Sequence, residues 1–182
     1  MRLALTAVAL MMPAAAIATP QRLTHIWTDQ RPKPRGEELM RSTMISAHNR
    51  ARRQYGVGPL IWDAALARDA RAYAQYLAST GRFEHDPQAG RLRQGENLWM
   101  GTRTAYSYAQ MIGHLIDERR FYRPGRFPHV SRTGEWPHVG HYTQIIWPTS
   151  QRVGCGTASN RSSDYLVCRY FPAGNVVGTV LR

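Results

Sequence analysis

The chain has 182 residues, of which 43% are hydrophobic and 20% are charged. This composition suits one folded domain with flanking segments and excludes a chain that is disordered throughout. The 24 basic residues outnumber the 12 acidic ones, and the net charge of +12 favours anionic partners such as lipid headgroups or cell-wall polymers. A solvated, arginine-rich surface would give the same charge. The arginines form no basic stripe with interleaved aromatics, so we expect no nucleic-acid binding.

The first 18 residues are typical of an export signal. A short basic start, Met1-Arg2, precedes an apolar stretch over 3–17, and Ala16-Ile17-Ala18 matches a small-x-small site that predicts cleavage after Ala18. The stretch is short for a bilayer span, although a retained membrane anchor is the alternative. We therefore expect a bacterial secreted protein, periplasmic or extracellular. Prolines and basic residues over 19–36 predict a flexible arm.

Three long helices are predicted in the first part of a domain that spans 37–182. Apolar spacing predicts the first over about 37–54 and the second over about 64–80, where Asp63 is a plausible N-cap and Gly81 a stop. The third is predicted over about 105–122. The segments between the later elements, 83–95 and 123–139, are predicted to be loops.

Three strands are predicted to close the chain, over 141–147, 152–158 and 165–171. Helices followed by such an antiparallel meander predict the α+β class. The two cysteines, Cys155 and Cys168, lie in the last two strands, and adjacent antiparallel strands would bring them together. After export a disulfide there would stabilise the fold by about 3 kcal/mol in the chain-entropy model. A metal or redox pair is the alternative, although the spacing is too long for a redox Cys-x-x-Cys.

Four segments carry recognisable motifs in a fixed order. They are His48-Asn49-Arg50 with the following Pro59-Leu60 and Trp62, then Gly95-Glu96-Asn97-Leu98, the run from Gly140 to Trp147, and the run from Tyr165 to Asn175. Together they resemble the signature stretches of the CAP superfamily, which comprises cysteine-rich secretory proteins, antigen 5 and plant pathogenesis-related proteins. The resemblance covers roughly 40–177. It implies an α-β-α sandwich with a small antiparallel sheet flanked by helices.

The resemblance also implies a surface cleft that contains two histidines and two acidic residues. The family's tetrad maps onto His85, Glu96, Glu118 and His141. Asp117 is the alternative match if the third helix is shifted by one residue. The set suits a divalent cation, zinc above others, at His85 and His141, with carboxylates that orient the imidazoles. The same tetrad could instead be a hydrogen-bond network that closes the cleft. We expect His48 to pack locally, and His138 could reach the cleft.

Three functions remain open at this point. The favoured one is an exported binding module whose cleft takes a lipid, a sterol or another extended ligand, with or without a metal. The second is a metal-dependent hydrolase of peptides or cell-wall material. Ser131 and Thr133 precede His141, so a hydroxyl could reach its imidazole, but no Gly-x-Ser-x-Gly motif is present and we assign no catalytic residue. The third is a basic protein held by charge to anionic envelope polymers. Of an enzyme and a protein without catalytic activity we favour the latter, and we assign no oligomeric state.

Overall fold

The computed structural model describes residues 31–182, so the predicted signal peptide and the predicted arm as far as residue 30 lie outside the described residues. The α-helices of the described part are α1 (Glu37–Arg53), α2 (Ala64–Thr80), α3 (Pro87–Arg91), α4 (Tyr108–Ile116) and α5 (Gly140–Ile145). Its strands are β1 (Ile61–Trp62), β2 (Gly95–Thr102), β3 (Gly125–Arg126), β4 (Arg152–Ser159), β5 (Ser163–Phe171) and β6 (Val180–Leu181). Short 3-10 helices cover Asp117–Phe121 and Trp136–Val139.

The main sheet has the strand order β1-β4-β5-β2, in which β4, β5 and β2 are antiparallel and β1 runs parallel to β4. Strand β2 therefore forms one edge. Side chains on one face pack with α2 in a cluster that includes Leu77, Leu98 and Val167. Those on the other face pack with α1, α4 and α5 in a larger cluster that includes Met44 and Leu166. The predicted α-β-α sandwich of the α+β class is thereby confirmed.

The first two helices follow their sequence signals closely. The Asp63 side chain accepts hydrogen bonds from the amides of Ala65 and Leu66, as an N-cap does. Gly81 ends α2 with a left-handed φ of 71°. The third predicted helix is shorter than expected, because Ser107 caps α4 with Gln110 and the chain tightens into a 3-10 helix at residue 117.

The predicted strand over 141–147 is wrong, because this segment forms α5 and the turn that follows it. Residues 142–147 are all buried, so their side chains do not alternate between a buried and an exposed face, as those of a half-buried strand do. The predicted three-stranded meander is wrong for the same reason. The third main antiparallel strand is instead β2, and the predicted loop over 83–95 contains α3.

Cys155 and Cys168 form the predicted disulfide. They lie directly opposite each other in the register of β4 and β5, and both are fully buried. This pairing leaves neither sulfur as a thiolate ligand for a metal.

Two glycines of β4 allow α2 to lie close against the sheet. A Cβ atom added to Gly154 would lie 2.2 Å from the backbone nitrogen of Ala67, and one added to Gly156 would lie 2.4 Å from the Cα of Arg71. Contacts this short are not tolerated by backbone atoms. Helix α2 can therefore pack this close to β4 only because Gly154 and Gly156 have no side chain.

The last residues of the predicted arm contact the domain. Arg35 lies 2.9 Å from an Asp164 carboxylate oxygen and donates to the Tyr106 carbonyl at 2.9 Å. Its guanidinium also lies 5.1 Å from the centre of the Tyr108 ring. These contacts fix the chain just before α1.

Candidate functional site

The first half of the site is the His85 pair, formed by His85 and Glu96. His85 lies in the loop after α2, and its Nδ1 atom is 2.6 Å from Oε1 of Glu96 on β2. The same oxygen accepts the backbone amide of Asp86 at 3.1 Å. The Glu96 side chain is 4% exposed and that of His85 66%. A buried carboxylate therefore holds an imidazole that faces solvent.

A buried arginine stands behind this pair. Arg169 of β5 lies opposite Glu96 in the strand register, and its Nη2 atom is 3.1 Å from Glu96 Oε2. The guanidinium also donates to Asp86 and lies 5.3 Å from the centre of the Tyr73 ring. Because a lone buried charge is costly, the guanidinium compensates the Glu96 carboxylate and fixes its orientation toward His85.

The second half is the His141 pair, formed by His141 and Glu118. His141 lies in the first turn of α5, and its Nδ1 atom is 2.6 Å from Oε1 of Glu118 in the 3-10 helix. The other Glu118 oxygen accepts the backbone amides of His141 and Tyr142, both at 3.0 Å. This carboxylate thus caps α5 and orients the imidazole at once. Asp117, the alternative from the sequence, is exposed and faces a different hollow.

The two pairs approach β2 from opposite sides. Glu96 shares its sheet face with Arg169, on the side of α2, whereas the next residue, Asn97, points to the side of α5. Asn97 Nδ2 donates to the His141 carbonyl at 3.0 Å. The structure therefore joins His85 to Glu96 and His141 to Glu118, and links the two pairs through consecutive residues of one edge strand.

Both imidazoles contact their carboxylate through Nδ1, which leaves each Nε2 atom for a ligand. Carboxylates hold metal-binding histidines in this way, since they fix the tautomer and the direction of the ring. Within residues 31–182, no three His, Cys, Asp or Glu side chains come together as a metal-holding group. A cation at this cleft would therefore have at most the two Nε2 atoms as protein nitrogens, and water or a bound molecule would supply the other ligands.

The other histidines of residues 31–182 lie outside the two pairs. His48 is fully buried in α1, and besides its local contact with the Met44 carbonyl it reaches the distant Tyr170 hydroxyl, so the predicted local packing is only part of its role. His138 Nδ1 lies 2.8 Å from Thr133 Oγ1, which in turn lies 2.8 Å from Ser131 Oγ. Both hydroxyls thus connect to His138, and in the described part of the chain neither bonds to His141. His138 also bonds to no carboxylate there, so this group lacks the orienting acid of a hydrolytic triad.

A separate hollow, the α1–α4 groove, opens between the two helices. Its volume is about 390 Å³, within the range of small-molecule sites. Its lining is Thr43, Ser46, Ala47, Arg50, Ala109, Ile112, Gly113, Ile116, Asp117 and Arg119. The floor is apolar, while two exposed arginines and one acidic residue stand at the rim.

Sequence reasoning missed the partners of the tetrad. Arg169 and Asn97 lie within the motifs that the sequence displays and Asp86 directly follows His85, yet their contacts cross between distant segments. One signal was available for Arg169, because a charged residue between Cys168 and Tyr170 in a buried strand requires a buried partner. No comparable signal marks Asn97.

The sandwich fold agrees with the family comparison. The model of the cysteine-rich secretory protein family, CAP, matches residues 45–170, and the chain belongs to this family. Over 136 residues it is 37% identical to pathogenesis-related protein 1B of Nicotiana tabacum, covering 74% of this chain and 76% of that protein. Golgi-associated plant pathogenesis-related protein 1 of Homo sapiens is also 37% identical over 136 residues, with 74% and 83% covered.

Solved structures share the fold at lower sequence identity. The crystal structure of NaASP2 with Zn²⁺ superposes with a TM-score of 0.66 at 22% identity, over 81% of this chain and 88% of that one. In the described residues, no helix combines the length and apolarity that a membrane crossing needs.

Proposed function

We propose that this chain is an exported binding protein whose cleft takes a divalent cation, zinc in the first instance, at the Nε2 atoms of His85 and His141. One observation carries the proposal: each imidazole is held through Nδ1 by a carboxylate at 2.6 Å, which leaves Nε2 as the donor. Neutral imidazole suits zinc. The related fold of NaASP2 was crystallised with Zn²⁺, which supports the choice of metal.

The residues of the site have separable roles in this proposal. Glu96 and Glu118 accept the Nδ1 protons and so fix the tautomer and the direction of each ring, which leaves Nε2 as the donor to the cation. Arg169 balances the charge of the buried Glu96 carboxylate. When bound, the cation would present open coordination positions to an oxygen of a ligand at the exposed side of His85. Two protein nitrogens make a weaker and more exchangeable site than a closed four-ligand one.

The test is a zinc titration by calorimetry on the metal-stripped chain without residues 1–18. The wild type should bind one zinc ion saturably, and the double variant His85→Ala/His141→Ala should not. The matched control is His129→Ala/His138→Ala, which removes two exposed histidines outside the pairs and should bind as the wild type does. Equal binding by both double variants, or none by the wild type, refutes the proposal.

A second candidate function is the binding of an anionic amphiphile such as a fatty acid, and the α1–α4 groove favours it. Ile112 and Ile116 give the groove an apolar floor, which would take an acyl chain. Arg50 and Arg119 stand at its rim and form no ion pair with a carboxylate of the described residues, so they are available for an anionic headgroup. A sterol would use only the apolar floor of this groove, and an anionic envelope polymer would use only the arginines at its rim.

Gly113 provides a sharp test of this groove. It lies in α4, and a Cβ added there meets no atom within 4 Å, so the side chain of Gly113→Leu has open space at its Cβ and extends from there into the groove. The change also removes a helix-weakening glycine, so lost binding would not mean lost folding. Gly90→Leu in α3 is the control, since its Cβ is equally unobstructed. A labelled fatty acid should bind saturably to wild type and control, and not to Gly113→Leu. Equal binding to all three excludes the groove.

A further inference from the structure

A continuous chain of buried polar side chains runs from α1 through the sheet to the backbone of His141. His48 Nδ1 lies 2.7 Å from the Met44 carbonyl, and its Nε2 lies 2.8 Å from the Tyr170 hydroxyl. Asn97 Nδ2 lies 3.0 Å from that hydroxyl and 3.0 Å from the His141 carbonyl. His48, Asn97 and Tyr170 are each at most 1% exposed, so water does not replace these bonds.

The donors and acceptors along this chain are fixed without ambiguity. A carbonyl only accepts, so His48 Nδ1 must donate to Met44 and its Nε2 must accept from the Tyr170 hydroxyl. The Tyr170 oxygen then accepts from the Asn97 amide. The His141 carbonyl likewise requires an N–H donor, which sets the orientation of the Asn97 amide. Asn97 Nδ2 therefore donates one proton to the Tyr170 hydroxyl and the other to the His141 carbonyl in α5.

We propose that Asn97 is a positioning residue for the metal site, held by the buried His48–Tyr170 pair, and that it sets where His141 stands relative to β2. Glu96, its neighbour in the chain, orients His85 from the other sheet face. A single dipeptide of the edge strand thereby fixes both imidazoles, one through a side-chain carboxylate and one through a backbone carbonyl. The inference rests on the proposed zinc site for its functional meaning.

The local packing supports a tight link at this point. Gly95, two residues before Asn97 and on the same face of β2, lies so close to α5 that an added Cβ would be 2.1 Å from Gln144 Oε1. Helix α5 is therefore in contact with β2 next to the Asn97 bond. With Glu118 at its amino end, the short helix is held from two directions.

The test compares Asn97→Ala with Gly156→Ala, a variant that strains the opposite sheet face and leaves the polar chain intact. NMR of the imidazole resonances is recorded on metal-free protein, and zinc affinity is measured by calorimetry. We expect Asn97→Ala to shift the His141 ring resonances, to leave those of His85 in place, and to weaken zinc binding about 10- to 100-fold, as for other outer-shell partners. Gly156→Ala should lower thermal stability and leave the His141 ring resonances in place.

Tyr170→Phe is the second variant, in case Asn97→Ala folds poorly. It keeps the Asn97–His141 bond and removes the Tyr170 hydroxyl that holds Asn97. It should therefore shift the His141 resonances in the same direction by a smaller amount. Unchanged His141 resonances in both variants, or an equal change in Gly156→Ala, overturn the positioning role. If the wild type binds no zinc while the His141 resonances still move in Asn97→Ala, the proposed metal function fails and the positioning role stands.

Discussion

Mild acid should destabilise this protein through a single buried histidine, His48. Burial lowers the pKa of its imidazole from 6.5 to about 4, because the cation is desolvated among α1 and β5, and the nearby Arg52 charge acts in the same direction. The groups that face the ring are the Met44 carbonyl, the Tyr170 hydroxyl and Arg52, and no carboxylate contacts it in the described chain. The folded state therefore keeps His48 neutral where the unfolded chain is already protonated.

The sign and size of the effect follow from this difference. Between pH 6.5 and about 4 the unfolded chain binds a proton that the folded chain does not, so the free energy of unfolding falls as the pH is lowered. At about 1.4 kcal/mol per pH unit, His48 alone removes roughly 3 kcal/mol over this window, and no more below it. That is a large part of the stability of an ordinary domain.

The assay is urea unfolding of the metal-free chain at several pH values from 7 to 4, for the wild type and His48→Gln. Glutamine is neutral throughout and can both donate and accept a hydrogen bond. Over the window, the free energy of unfolding of His48→Gln should therefore fall by roughly 3 kcal/mol less than that of the wild type. His129→Gln removes an exposed imidazole and should keep the wild-type slope. Parallel curves for the wild type and His48→Gln would refute the reasoning.

Three further predictions concern stability. Gly156→Ala should cost about 1–3 kcal/mol by overpacking against α2, while Gly113→Ala should gain up to about 1 kcal/mol; thermal melts of the two variants separate these signs. Intact mass should show two hydrogens fewer than the reduced chain, and reduction of Cys155–Cys168 should lower the unfolding free energy by about 3 kcal/mol, whereas free thiols in unreduced protein would contradict the structure. Arg52→Met should cost several kcal/mol, because the buried guanidinium donates to the Gly58 carbonyl and to three backbone carbonyls at and after the end of α5; an unchanged urea midpoint would show that these carbonyls need no donor.

The first two helices could be predicted from the sequence because their signals are local, as Asp63 and Gly81 show. Strand β2 could not, since it begins with Gly95, Glu96 and Asn97, residue types that are depleted in strands. Pairing with β5 along its whole length outweighs that preference. Helix α5 is too short and too uniformly buried to show a helical period. Both failures come from tertiary contacts that override local preference.

The tetrad itself was found through the family resemblance and not through spacing. Four side chains from four segments have no local signature, so chemistry alone could not have selected His85 over the other histidines. The structure adds the register, in which Glu96 faces Arg169 across two strands. Such a pairing is a property of the folded sheet, and the sequence does not contain it in readable form.

The two halves of the site belong to different layers of the sandwich. An ion bound at the proposed site would therefore affect the stability of both layers. Each layer has its own apolar cluster, one around α2 and one around α1, α4 and α5. An ion bound by both histidines would join the two layers, which also contact each other directly through the Glu37–Arg71 ion pair between α1 and α2. Its binding energy would add to the cohesion of the whole domain by mass action. If either layer unfolded, one of the two histidines would be lost from the proposed site. Binding of the ion would therefore indicate that both layers are folded.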